Sequence, residues 1–113
     1  VESASVVRAL GALAQEHRLA AFRLLVQAGP DGLAAGTLAE ALDIAPSSLS
    51  FHIAQLANAG LVSQRRAGRS ILYAADYDAM ADLMGFLTEN CCGGMPCAPA
   101  QCKPAKPSEK DVA

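Results

Sequence analysis

Residues 46 to 62 read Pro46-Ser47-Ser48-Leu49-Ser50-Phe51-His52-Ile53-Ala54-Gln55-Leu56-Ala57-Asn58-Ala59-Gly60-Leu61-Val62. Pro46 suits the first position of a helix, where its fixed φ is compatible and its missing N–H is not needed, and it pushes Ala45 to an extended conformation. Gly60 closes the helix. At 100° per residue, Leu49, Ile53 and Leu56 fall on one side and Ser47, Ser48, Phe51, Gln55 and Asn58 on the other. A phenylalanine on such a polar face is an ordinary exposed aromatic, or it belongs to a helix lying in a DNA major groove. There, Ser and Gln bond base edges and phosphates while Phe packs on a thymine methyl.

The next segment favours the groove. Leu61 to Arg66 and Arg69 to Ala74 are β-type segments about Ala67-Gly68, a hairpin with Gly68 in its turn. Arg65, Arg66 and Arg69 cluster here, in a chain whose nine Lys and Arg against eleven Asp and Glu leave a net charge of −2. The whole molecule is therefore not a polycation, and a nucleic-acid site has to be local. A basic hairpin beside a reading helix is such a patch, within reach of neighbouring phosphates.

Working outward, Val6, Leu10 and Leu13 recur at helical spacing, with Val7 and Ala14 widening the stripe. His17 to Ala28 fits a second helix, ended by Gly29-Pro30-Asp31-Gly32. A short third helix spans about Ala35 to Leu42, where Thr37 and Glu40 have the spacing of a capping box. A last helix runs from Asp78 to Asn90, with Met80, Leu83, Met84 and Leu87 on one face. The order α, α, α, α, β, β, α predicts a mainly α fold with a small β-hairpin.

Composition agrees with one globular domain. The chain has 113 residues, of which 52% are hydrophobic and only 4% aromatic, with no internal repeat. The longest uncharged stretch, Ile44 to Gln64, carries Pro46, His52, Gln55 and Asn58 and is too polar to cross a bilayer. With no secretory pattern at the start of the sequence, a cytoplasmic protein without a membrane partner is expected. After Asn90 the character changes. The last 23 residues contain all four Cys and four of the six Pro, with no Leu, Ile, Phe or Tyr. The expected division is a folded domain over residues 1–90 and a cysteine- and proline-rich tail over 91–113.

The run Pro46 to Val62, with Arg65-Arg66-Ala67-Gly68-Arg69 and Tyr73 after it and Leu13-Ala14, Arg18-Leu19 and Leu24-Leu25 before it, resembles the winged helix-turn-helix of the ArsR/SmtB family of bacterial repressors. The resemblance covers about residues 5 to 90. It implies a homodimer paired through the first and last helices, reading an inverted repeat of double-stranded operator DNA. The expected DNA-contacting residues are Ser47, Ser48, Ser50, Phe51, His52 and Gln55 on the fourth helix, and Arg65, Arg66 and Arg69 in the hairpin. A charge at Leu83, in the middle of the last apolar stripe, is expected to abolish pairing. One departure from the family is Gln15-Glu16 at the start of helix two, where many relatives have a short polar residue and Pro.

Two sensing sites usual in the family are missing. Arsenic-sensing relatives carry Cys-x-Cys at the third helix, where this chain has Ala41-Leu42-Asp43-Ile44. Zinc-sensing relatives use His and carboxylates along the last helix, and this chain has no His beyond His52. His17 and His52 read as a helix-start residue and a core-edge or phosphate-contacting residue, not as ligands. What remains is Cys91-Cys92-Gly-Gly-Met-Pro-Cys97, with Cys102 beyond. Neighbouring Cα atoms are about 3.8 Å apart, so adjacent thiolates can share one ion, and Gly93-Gly94 let the chain return with another. An all-thiolate pocket suits a soft acceptor. The pattern resembles the C-terminal variant of arsenic-responsive family members, which implies Cys91, Cys92 and Cys97 around trivalent arsenic or antimony, with Cys102 as a substitute or fourth ligand. The resemblance implies that the metalloid acts as inducer, and no cofactor is expected for folding.

Rival readings are a cadmium- or zinc-responsive repressor using all four sulfurs, a redox-responsive one, and a thiol-based metal-storage protein. Cys₄ metal sites usually pair Cys at gaps of two to four residues and not side by side. A thiol enzyme such as an arsenate reductase would want a base or an anion-binding loop near its nucleophile. The tail has no His or Arg.

Overall fold

The structure, a computed structural model, describes residues 2–94. Its elements are α1 (Ser3–Leu13), α2 (Glu16–Ala28), β1 (Leu33–Ala34), α3 (Ala35–Leu42), α4 (Pro46–Asn58), β2 (Val62–Ala67), β3 (Ser70–Ala75) and α5 (Tyr77–Leu87), followed by a 3₁₀ turn at Cys91–Gly94. Cys97 and Cys102 lie outside the described residues.

Local chemistry sets most boundaries. Gln15 caps α2, its side-chain oxygen accepting from the Arg18 N–H at 2.9 Å, so the unusual Gln at that junction does the work of the short polar residue. Pro46 occupies the first turn of α4 as expected. Asp43 adopts a left-handed conformation (φ 56°) after α3 and donates its N–H to Ala39 and Glu40 carbonyls, making the tight turn into α4. The Thr37–Glu40 capping box does not form, because α3 starts at Ala35 and Thr37 lies within it.

The apolar side of α4 packs inward as the periodicity predicted: Leu49, Ile53 and Leu56 join Leu25, Leu38 and Leu61 in one core. Each such side chain contributes about 1.5–3 kcal/mol on burial. Above this core, β2 and β3 pair antiparallel from Val62↔Ala75 to Ala67↔Ser70. The two-residue turn is Gly68-Arg69, with Gly68 at φ +63°. It falls one residue later than expected and puts Arg69 at the tip.

A third strand was not anticipated. β1 adds to the other edge of β3, with Leu33↔Tyr73 and Ala34↔Leu72, so the hairpin is part of a three-stranded sheet. Gly32 makes this possible. It has φ +76°, and a Cβ there would run into the Tyr73 carbonyl.

α5 is shorter than predicted. Asp76 caps it by accepting from the Ala79 N–H at 3.0 Å. At its far end the Thr88 hydroxyl donates to the Met84 carbonyl at 2.8 Å and Asn90 turns left-handed (φ 58°), so the helix stops at Leu87. The Tyr77 hydroxyl donates to the Val26 carbonyl at 3.0 Å and ties α5 to α2.

The terminal stripes divide between two environments. Val6, Ala9 and Leu83 are buried within the protomer, whereas Val7, Leu10, Met84 and Leu87 are exposed. This corrects the expectation for Leu83. With 9% of its surface accessible, a charge there strikes the protomer's own core before any partner.

Candidate nucleic-acid interface and thiol pair

On α4, Ser47, Ser48, Ser50 and Phe51 are exposed, Phe51 to 59%. They form an open, uncharged face at the start of the helix, hydroxyl-rich with one aromatic. Gln55 departs from this picture. It is half-buried, in a cleft shared with Arg8, Gly11, Ala12, Arg18 and Asn58.

His52 is half-buried at the edge of the same face. Its ring stands 5.6 Å from that of Phe51, edge-on at 65°, and 5.6 Å from that of His17, tilted by 34°. Arg18 Nη1 lies 3.4 Å from His52 Nδ1, while Arg18 Nε donates to the Ala12 carbonyl at 2.7 Å. Burial first, and then the positive charges of Arg18 and His17, hold the His52 pKa below its ordinary 6.5. Sequence reasoning placed both histidines but missed Arg18, because 34 residues separate it from His52 and no periodicity connects them.

In the hairpin, successive side chains point to opposite faces, which divides Arg65 from Arg66. Arg65 Nη2 donates to the Asp31 carbonyl at 3.0 Å and braces the hairpin against the α2–β1 loop. All three arginines are exposed, so what sets Arg65 apart is this bond and not burial.

Beyond α5, the Cys91 N–H donates to the Thr88 carbonyl at 2.9 Å, and Cys92 and Gly93 adopt positive φ (59° and 70°). This winds the backbone tightly enough to bring Cys91 Sγ and Cys92 Sγ to 3.9 Å, both as thiols. That separation is close to the sulfur–sulfur edge of about 3.8 Å expected when metal–sulfur bonds of about 2.3 Å meet tetrahedrally. Partial burial, then the hydrogen bond with Cys92 and its charge, push the Cys91 pKa up. Among the described residues no three His, Cys, Asp or Glu side chains come together as a metal site.

A core of helices α1 to α5, a helix-turn-helix at α3–α4 and a β2–β3 wing define a winged helix-turn-helix protein. A family model described as a helix-turn-helix domain matches residues 13–65. The nodulation protein NolR of Rhizobium meliloti is 34% identical over 80 residues, 71% of this chain, and the chain spans 63% of the length of that curated relative. Among solved structures, HlyU from Vibrio cholerae is 33% identical with a TM-score of 0.62, covering 75% of this chain and 92% of HlyU. The homodimeric winged helix-turn-helix DNA-binding domain of a possible ArsR-family regulator from Mycobacterium bovis is 28% identical, with a TM-score of 0.63 over 74% of this chain and 75% of that one. The chain belongs to the ArsR/SmtB family of winged helix-turn-helix transcriptional regulators. Among the described residues no helix is long and apolar enough to cross a membrane.

Proposed function

We propose that this chain is a metalloid-responsive repressor, a homodimer that holds operator DNA through α4 and the wing and releases it when trivalent arsenic or antimony is captured by Cys91, Cys92 and a third tail thiol. The observation that carries this reading is the thiol pair, 3.9 Å apart and three residues past the Thr88 that ends α5. Exposed Val7 and Leu10 on α1 and Met84 and Leu87 on α5 offer apolar surface for a second copy to cover. The homodimeric Mycobacterium bovis domain supports that assembly. A ligand on the turn after α5 therefore acts at the end of a pairing helix. Rearranging that end shifts one reading head relative to the other, and a coupling of about 1–3 kcal/mol changes operator affinity roughly 5- to 150-fold.

The chemistry suits a neutral inducer. Trihydroxyarsenic condenses with three thiols to give a tris-thiolate and three waters, with no net release of protons, so a Cys91 held in the thiol form remains competent. Cys97 is the preferred third ligand over Cys102 on loop length alone. That preference is small, because closure costs only about 0.6 kcal/mol per doubling of length.

The test is a gel shift with DNA flanking the chain's own gene, with and without arsenite. A shifted band that arsenite abolishes is expected. A band insensitive to arsenite but released by cadmium or zinc transfers the site to a four-sulfur metal centre. No band at all, with metal still bound tightly, leaves a thiol-based storage protein.

A further inference from the structure

Arg18 is a permanent cation and can only donate, so its 3.4 Å contact is to the lone pair of His52 Nδ1, and the proton of neutral His52 sits on Nε2. Adding a second proton at Nδ1 sets two donors face to face. The groups that face His52 make this worse. From α2 they are His17 and Arg18, both basic, and from α1 Arg8 lines the cleft that Arg18 also lines. On α4 His52 is the one titratable residue, and Glu16, beside His17 in sequence, is exposed. A cluster of Arg18, His17 and His52 thus stands at the edge of the exposed Ser47–Phe51 face, joined to it by the Phe51 ring at 5.6 Å.

An anion resolves the conflict. An oxygen seated between Arg18 and His52 accepts from both, which turns a repulsive pair of donors into two charge-assisted hydrogen bonds. Most hydrogen bonds between a protein and DNA go to phosphate and sugar oxygens, so beside a reading helix the anion at hand is a backbone phosphate.

We infer that His17, Arg18 and His52 form a seat for a DNA backbone phosphate beside the reading helix, and that filling it draws a proton from solvent onto His52. This rests on the DNA-binding reading and adds to it a contact outside the wing and a proton linkage. In the DNA-free protein burial, and then the charges of Arg18 and His17, lower the His52 pKa from its ordinary 6.5. The phosphate reverses that bias, so DNA affinity rises as pH falls.

The experiment measures fluorescence anisotropy of a labelled duplex of arbitrary sequence with the full chain at low, constant ionic strength, from about pH 8 down to about pH 6, the range in which imidazoles titrate. For one proton per protomer, the protomer–DNA association constant rises towards tenfold per pH unit. Calorimetry in two buffers of different ionisation enthalpy counts the same protons directly. His52→Gln removes the pH slope, whatever its absolute affinity, and His17→Gln reduces it. Circular dichroism of each variant checks that it is folded, and the calorimetric proton count on the unmodified chain stands independently of both. Salt-dependent binding with no pH slope and no proton uptake overturns the phosphate seat while leaving the DNA-binding reading intact. Absence of salt-dependent binding at every pH overturns both.

Discussion

The guanidinium of Arg65 is bonded to the backbone carbonyl of Asp31, 34 residues away, at 3.0 Å. Three arginines that look equivalent in sequence therefore have different duties. Arg65 ties the tip half of β2 to the α2–β1 loop, while Arg66 and Arg69, exposed like it, lie nearer the turn or in it.

Replacing Arg66 and Arg69 together by Ala should weaken binding to all DNA sequences and lower the salt slope of log K by about 0.9 for each phosphate left unneutralised. Arg65→Ala should instead change the slope little, and lower thermal stability modestly by releasing the α2–β1 loop. Salt titrations of both variants decide the matter. An equal fall in slope for Arg65→Ala would return it to the DNA-binding set.

Pairing of two copies should be broken from the exposed stripe and not from Leu83. Met84→Glu leaves the protomer's core untouched, since Met84 is 55% exposed, yet it places a charge in an apolar contact. Sedimentation should report a folded monomer with operator affinity greatly reduced, because paired half-sites need a two-fold protein. Leu83→Glu should lower the melting temperature as well, by the cost of an unpaired buried charge.

The cysteines should separate by variant and by pH. Ser at Cys91 or at Cys92 should leave DNA binding intact and abolish the arsenite response. Cys97→Ser should impair release, and Cys102→Ser should respond nearly as the parent does. Condensation with arsenite releases no net proton, so arsenite binding to the DNA-free chain should vary little from about pH 8 to pH 6. Binding of a divalent cadmium ion should weaken about tenfold per pH unit for each proton it must displace. Equal failure of all four single variants would favour a four-sulfur metal site.

Acid should destabilise the DNA-free protein through His52. Its folded-state pKa lies below the ordinary 6.5, for burial and then Arg18 and His17. As pH falls through and below that value, the unfolded chain takes up the proton before the folded one does, so stability declines in that window and is unaffected above it. Melting temperatures from about pH 7 to pH 5 should fall less steeply in His52→Gln than in the parent.

Much of this was legible because helical periodicity is a long-range signal. Leu49, Ile53 and Leu56 announced the buried side of α4, and Pro46 its first turn. Two-residue β1 is too short to show any alternation, and its evidence lay in Gly32, whose need for a bare Cα against Tyr73 exists only once the sheet is built. The end of α5 was overrun because the Thr88 hydroxyl and left-handed Asn90 act locally, with no change in the apolar pattern. Within the candidate site, the residue types on α4 and the wing could be read directly. The split between Arg65 and Arg66 and the approach of Arg18 to His52 depend on contacts between segments far apart in sequence, which composition and spacing do not encode.

α4 contains no Asp, Glu, Lys or Arg from Pro46 to Asn58. On the proposed reading, the groups it offers to base edges are uncharged hydroxyls and an aromatic ring, while the charge that would draw the molecule to DNA sits on other elements. Counterion release scales with those charges and is the same on every duplex. A rise in ionic strength should therefore empty strong and weak sites together and leave their order of preference unchanged.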